Sequence, residues 1–338
     1  METLNTAIYV RAPIALGRRY TFRATPHSAT PDPFEQSVVD SVQELCGQQL
    51  RQASRFIRLA AAGALRCAQR AALPASSGLY LATGLGDHNT AARLFAQSHL
   101  GQGRASPFDF VNVNSNTASY YIARMAGLKG PNLTISQGAL SYEWALRLAM
   151  TAVCAGLTYA LVGGVDERAV TRQELKRRFR RGRGQPPGEG SGWLVLTPDR
   201  CHAHARLLEM RWLENPHTAD WRAIGGRWAQ LAGARTLYLS TGPGVRRQPV
   251  TALMRDLPNA VPWPYLVRCG HYPTAAAFGI AESLGGAGPA SGLWAHVSAG
   301  QRGQFVLTLW ERVDHDTPLP QGPEERASFT ACALYSGV

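Results

Sequence analysis

The chain has 338 residues, 45% of them hydrophobic and 17% charged, enough to bury one large core or two fused half-domains. No window approaches the roughly 18 uninterrupted apolar residues of a spanning helix. The opening METLNTAIYVRAPIALG lacks the basic flank and small-residue cleavage site of a signal peptide, and six scattered cysteines (Cys46, Cys67, Cys154, Cys201, Cys269, Cys332) form no CxxC pair, so the expectation is a reduced cytoplasmic chain without a disulfide framework.

In chain order, residues 4–20 read as an opening strand and turn, 26–33 as a Pro/Ser/Thr-rich loop, and 35–72 as largely helical. Within the last, Phe56, Leu59, Ala60, Ala64 and Cys67 share one face. Residues 77–84 (SGLYLATG) form a buried strand ending at glycine. Residues 87–98 are helical, and 114–127 contain another helix. A short strand over 132–136 runs through a tight Gln137-Gly138-Ala139 turn into a helix that ends near Gly156. It feeds a strand that stops at Gly163-Gly164.

A glycine- and arginine-rich loop (177–190) leads to a strand over 192–196. The second half repeats the theme in shortened form, with a helix over 218–233, a strand over 236–240, a turn and helix over 270–284, and a last strand over 305–310. This alternation predicts an α/β layered domain. The tail after Asp314 is Pro-rich and expected to be loosely attached.

The net charge of +12 is uneven, with its densest cluster at Lys176-Arg177-Arg178-Phe179-Arg180-Arg181-Gly182-Arg183. A basic surface attracts anionic partners, and a solvated loop is the competing reading. No aromatic platform, zinc finger or recognition helix accompanies it, so nucleic acid is not indicated. His202-Ala203-His204 has no companion carboxylate or cysteine cluster to make a metal site. Cys154, mid-helix among apolar residues, reads as a packed core thiol.

Six segments in register carry a resemblance. Ser54-Arg55-Phe56, Ala82-Thr83-Gly84-Leu85-Gly86, and Ser106-Pro107-Phe108 with Asn116 come first. The 132–167 segment with its Gly163-Gly164-Val165-Asp166 end follows without a gap from Ser106 to position 139. Gly188-Glu189-Gly190-Ser191-Gly192 before Trp193-Leu194-Val195-Leu196, and Gly270-His271 with Ala275, Ala276 and Glu282, complete the set. Over about residues 4–310 the chain resembles the β-ketoacyl synthases, condensing enzymes of the thiolase fold. The resemblance implies two pseudo-repeated halves in an α-β-α-β-α arrangement. They would be an N-terminal half at 1–190, a shortened C-terminal half at 191–313, and a tail at 314–338.

The same resemblance makes the departures informative. Family catalysis uses a cysteine at a helix N-terminus, where the dipole favours thiolate, and two histidines that activate a malonyl thioester and hold the oxyanion. Ala139 stands at the cysteine position, Thr241 at the first histidine and Leu266 at the usual lysine; only His271 is retained. The GFGGTN gate has become Ala299-Gly300-Gln301-Arg302-Gly303-Gln304. Ser136, Gln137 and Ser141 offer polar groups nearby, but a serine nucleophile needs a general base, and no second histidine is placed to serve. His271 reads either as a remnant bonded to backbone or as a working base.

The resemblance therefore implies no catalytic residue in this chain. It implies a chain-length-factor-like subunit of a type II polyketide or fatty-acid-like synthase, paired as a heterodimer with an active ketosynthase. Leu133, Thr134, Ile135 and Asn116 would sit at the dimer interface. Thr90, Ala91, Leu94 and Phe95 would wall a tunnel for a growing acyl or polyene chain, or else pack their helix against the core. Arg177, Arg178, Arg180 and Arg181 could attract an acidic acyl carrier protein, which would bring the phosphopantetheine; no cofactor or metal of the chain's own is implied. The alternatives are a stand-alone thiolase-fold enzyme with residual decarboxylase, acyl-transfer or hydrolase activity, and an acyl-binding scaffold.

Overall fold

A computed structural model describes residues 2–4, 6–20, 32–47, 50, 52–101, 103–168, 186–287, 289, 291–313 and 329–331, the first and last of these segments as backbone only. The arginine cluster at 176–183, with Arg177, Arg178, Arg180 and Arg181, lies outside the described residues. The first half contains β2 (Ile8–Arg19), α1 (Pro33–Cys46), α2 (Arg55–Arg70), β3 (Gly78–Ala82), α3 (His88–His99), α4 (Pro107–Asn112), α5 (Thr117–Ala126), β4 (Asn132–Ile135), α6 (Ser141–Cys154), β5 (Ala160–Asp166) and β6 (Gly188–Thr197). The second contains β7 (Ala205–Glu214), α7 (Thr218–Ala232), β8 (Leu237–Thr241), α8 (Arg247–Met254), β9 (Ala260–Pro262), α9 (Leu266–Cys269), α10 (Ala275–Glu282), β10 (Leu293–Ala299) and β11 (Gln304–Arg312).

The strands make one sheet in the order β4-β3-β5-β6-β2-β7-β11-β10-β8-β9. It divides into two copies of one topology. In each half the first strand lies innermost and pairs antiparallel with the fifth. The fourth is antiparallel to the fifth and parallel to the second, and the third lies parallel at the outer edge. The two first strands meet antiparallel where residues 8–10 of β2 pair with 205–207 of β7. The internal repeat is therefore a repeat of hydrogen-bonded topology.

Strand side chains alternate between faces, and here both faces are buried. Leu79, Leu81, Leu161, Trp193 and Val195 pack under α1, α2 and α5, while Tyr80, Ala82, Val162, Leu194 and Leu196 face α6 and α10. In the second half Leu293, Ala295, Val297, Leu307 and Leu309 pack under α7 and α8, whereas Trp294, Val306 and Trp310 join the central cluster. Helices thus occupy an outer, a central and an outer layer around the two half-sheets, the α-β-α-β-α arrangement. Close approach between layers needs glycine at one central point. A Cβ on Gly163 would lie 2.1 Å from the Trp193 ring.

Several sequence expectations change. The helical stretch 35–72 is two helices, because Gly47 caps α1 in the left-handed region (φ +66°) and Ser54 caps α2 by accepting from the Ile57 N–H. The boundary placed at 190/191 falls inside β6, which is hydrogen-bonded to β5 on one side and β2 on the other; the halves join at 198–204. β7, β8's edge partner β9, α8 and β10 have no counterpart in the sequence pattern. Cys154 is the last residue of α6, half-buried against the central core. Within the tail expected to be loose, β12 (Phe329–Ala331) pairs antiparallel with β1 (Glu2–Leu4). No helix among the described residues is long and apolar enough to cross a membrane.

Candidate functional site

The C-terminal ends of β3, β4 and β5 in one half, and of β8 and β10 in the other, open toward a common region, where ligands bind in open α/β sheets. Asp166, at the end of β5, organises it. Its Oδ1 accepts from Thr83 Oγ1 at 2.9 Å and from the Gly84 and Leu85 N–H groups at 3.0 Å each. Its Oδ2 accepts from the Thr274 N–H at 2.9 Å and hydroxyl at 2.8 Å. The carboxyl is fully buried; burial raises its pKa, and the five converging donors oppose that shift. One side chain thus fixes both the glycine turn after β3 and the start of α10. Glycine at 84 is required, because a Cβ there would lie 2.2 Å from Pro273 Cβ and 2.8 Å from the Gly138 carbonyl.

That carbonyl belongs to the turn that places Ala139. After β4, Gly138 takes a left-handed φ of +61° and starts a single 3₁₀ turn over Gly138–Leu140 that runs into α6. Ser141 closes the turn, since its Oγ accepts from the Gln137 N–H and donates to the Gly138 carbonyl, both at 2.8 Å. Ser141 is thereby committed to structure. Ala139 sits at the apex, half-buried, with a methyl group and no nucleophile.

The other three positions singled out by the resemblance follow. Thr241 ends β8 opposite Val297 of β10, and the Gly242 N–H bonds the Val297 carbonyl at 2.8 Å. Leu266 begins α9, half-buried. His271 is tied to Pro186, whose carbonyl accepts from the His271 N–H at 3.0 Å and lies 3.2 Å from Nδ1. Its ring is thus held by backbone on the Pro187 side of the site.

Sequence reading missed the buried polar groups beneath these positions. Glu143, one helical turn after Ala139, accepts from Ser298 Oγ. Ser298 Oγ lies 3.2 Å from His296 Nδ1, and His296 Nε2 lies 3.1 Å from Tyr265 Oη. All four residues are buried. Burial raises the Glu143 pKa to about 7 against the Ser298 hydrogen bond, lowers that of His296 to about 3, and raises that of Tyr265 well above its ordinary value. His296 is therefore a neutral imidazole, poorly suited to act as a base. A signal existed in the sequence: a glutamate inside the apolar face of a helix, and a histidine and a serine at alternate positions of an otherwise apolar LWAHVSA run.

A second buried carboxylate, Glu189, receives Arg18 Nε at 3.0 Å, Arg55 Nη2 at 2.6 Å and the Tyr20 hydroxyl. Burial pushes its pKa up, but pairing with Arg55 wins and holds it below the ordinary value. Among the described residues no group of three His, Cys, Asp or Glu side chains could hold a metal ion.

The expected tunnel residues separate. Ala91, Leu94 and Phe95 line a groove of about 500 Å³ between α3 and α4, completed by Pro107, Phe110 and Val113. Thr90 does not reach it. It is buried beside its helix cap, where its N–H donates to Asp87 Oδ1 at 3.2 Å.

The expected interface residues separate as well. Among the described residues β4 is the outer edge of the sheet and pairs only with β3. Leu133 is 44% exposed, Asn116 is exposed and Thr134 is half-buried, its hydroxyl 3.0 Å from Ser119 Oγ. Ile135 is buried in the central core; alternation places it on the same face of β4 as Leu133 and opposite Thr134, so Leu133 and Ile135 differ in depth along the strand and not in face. Among the described residues Phe95, Leu100, Phe110, Val111 and Tyr120 are each more than half exposed, and Tyr120 sits on α5, which packs against β4. At the opposite edge, β9 carries Pro262, which removes a donor and blunts further pairing.

No protein-family model and no curated protein matches the chain. Solved structures do. The ishigamide ketosynthase/chain length factor aligns at 18% identity and TM-score 0.68 over 91% of this chain and 100% of that one. The AntDE:AntF structure of a type II PKS acyl-carrier protein in complex with its ketosynthase aligns at 11% identity and TM-score 0.64, covering 91% and 99%. A β-ketoacyl synthase from Burkholderia phymatum STM815 aligns at 14% identity and TM-score 0.63, covering 91% and 100%. Identities this low establish architecture alone: the chain has the thiolase-like fold of ketosynthases and chain length factors.

Proposed function

We propose that this chain is a chain-length-factor-like subunit that pairs with a cysteine-bearing ketosynthase and shapes an acyl tunnel without doing the condensation. The observation that carries the reading is the contrast between scaffold and chemistry at one point. The β4–turn–α6 unit is intact and its edge is open to pairing, yet its apex carries Ala139. A methyl group cannot attack a thioester, and the buried hydroxyl of Ser298 beside a neutral His296 supplies no substitute nucleophile.

The sheet edge, with Leu133 and the exposed Tyr120 of the adjoining α5, supports a partner docked along β4. An added strand would satisfy the free edge groups while burying Leu133 and its neighbours. The groove at Ala91, Leu94 and Phe95 offers apolar walls to an acyl chain. The carrier protein would deliver phosphopantetheine-bound intermediates to the pair, and the reacting cysteine would belong to the partner. Co-expression with a cysteine-bearing ketosynthase from such a synthase tests the pairing. A stable 1:1 complex on size-exclusion chromatography with light scattering supports it, and two separately migrating proteins refute it.

A further inference from the structure

The three positions at which the resemblance expects catalytic side chains, 139, 241 and 266, each lie beside a member of one buried chain of polar groups. Glu143 lies one turn along α6 from Ala139. A Cβ on Gly242, next to Thr241, would be 3.4 Å from His296 Cε1 and 3.5 Å from Ser298 Oγ. Tyr265 immediately precedes Leu266, and its ring lies flat on Gly279 of α10, where a Cβ would be 2.6 Å away. Ser298 also leads into the 299–303 turn, whose Gly300 packs on Leu140 beside Ala139.

With Glu143 Oε1 as the acceptor, one arrangement of hydrogens accounts for all three contacts of the chain. The Ser298 hydroxyl donates to Glu143 Oε1, so Ser298 Oγ must accept from His296 Nδ1–H. His296 Nε2 then accepts from the Tyr265 hydroxyl. The bonds run from α6, in the first half, through β10 to the head of α9 in the second. Glu143 Oε2 is the one buried oxygen of the group left without a partner. Burying four polar side chains where apolar ones would pack is costly unless they are bonded. Their value lies in direction, because a hydrogen bond fixes a distance and an angle that packing alone leaves loose.

We propose that Glu143, Ser298, His296 and Tyr265 form a positioning joint between the two halves, which locks the Gly138–Leu140 turn and the head of α6 against β10 and thereby fixes the β4 edge for pairing. The joint deepens the pairing function proposed above and rests on it only for its consequence; its effect on the turn is a property of the isolated chain. None of the four residues touches substrate in this assignment, and they act through α6 and the turn.

Amide hydrogen exchange on the full chain, read over 132–146 and over α2 as an internal control, tests it. Ser298→Ala, which leaves Glu143 and His296 without their shared partner, should speed exchange over 132–146 by about tenfold or more while α2 changes little. Glu143→Leu should do the same, and Glu143→Gln, whose amide oxygen still accepts from Ser298, should restore protection. Affinity for the ketosynthase should fall in Ser298→Ala and Glu143→Leu and return in Glu143→Gln. Uniform acceleration over α2 and 132–146 alike, or equal exchange in the Leu and Gln variants, would overturn the joint. Failure of the wild-type chain to pair would overturn the proposed function and leave the exchange result to decide the joint alone.

Discussion

Glu143→Gln should change how stability depends on pH. Glu143 has a folded pKa of about 7 against an unfolded value of 4.5, so the folded state holds its proton more tightly. Stability from that proton is fully present below 4.5 and is lost as pH rises toward 7. His296 runs the other way. Its folded pKa of about 3 lies below its unfolded 6.5, so its contribution is present above 6.5 and lost as pH falls toward 3. Between 4.5 and 6.5 the two slopes oppose and nearly cancel in the wild type.

Glutamine removes only the first. A tenfold difference in proton affinity between the folded and unfolded chain corresponds to about 1.4 kcal/mol, so the stability of Glu143→Gln relative to wild type should rise by on the order of 3 kcal/mol from pH 4.5 to pH 8. Urea unfolding of both proteins at half-unit pH steps reads this directly. A difference that stays constant across the range would refute the assignment of a buried, proton-holding Glu143.

Other outcomes follow from the same geometry. Leu133→Asp places a charge on the exposed β4 edge; it should weaken pairing with a ketosynthase roughly 30- to 100-fold and leave the thermal midpoint of the isolated chain unchanged. Asp166→Ala strands five donors in the interior and should cost roughly 3–5 kcal/mol by denaturant unfolding, with loss of protection at the 83–86 turn. Leu94→Ala and Phe95→Ala enlarge the α3–α4 groove and should lengthen the products of the reconstituted pair, read by mass spectrometry; Thr90→Ala, which does not line the groove, should not.

Much of the fold was legible because its signals are local. Glycine turns, short apolar strands and the helix over 141–154 announce themselves in sequence, and six motifs in register supplied the topology. Strands β7 and β10 were missed for opposite reasons. β7 (ARLLEMRWLE) carries arginine and glutamate on a strand whose charges pair with neighbours, as Glu209 does with Arg227 at 3.1 Å. β10 hides a histidine and a serine in its inward face. The 190/191 boundary failed because Gly188-Glu189-Gly190-Ser191-Gly192 reads as a loop, while each of these residues pairs in β6 and the glycines admit Cys269, Tyr272 and α10 at close range.

In the sequence the candidate site reads, through its resemblance to the ketosynthases, as departures at 139, 241 and 266, since a changed side chain shows in a single position. The buried polar group beneath those positions was not legible, because Glu143, Tyr265, His296 and Ser298 lie up to 155 residues apart and become a unit only through folding. Likewise no periodicity could separate Thr90 from Ala91 or Ile135 from Leu133. Which face of α3 meets the groove, and which end of β4 is covered by the core, is set by neighbours distant in sequence.

A chain that completes a synthase whose chemistry resides in another subunit should be inert by itself and required in the pair. Turnover of malonyl- and acyl-carrier substrates should be measured for this chain alone, for the ketosynthase alone and for the two together. The expected result is no condensation by this chain alone, product from the pair, and loss of that product when the partner's cysteine is replaced by alanine. Condensation by this chain alone, or by the pair after that replacement, would contradict the assignment.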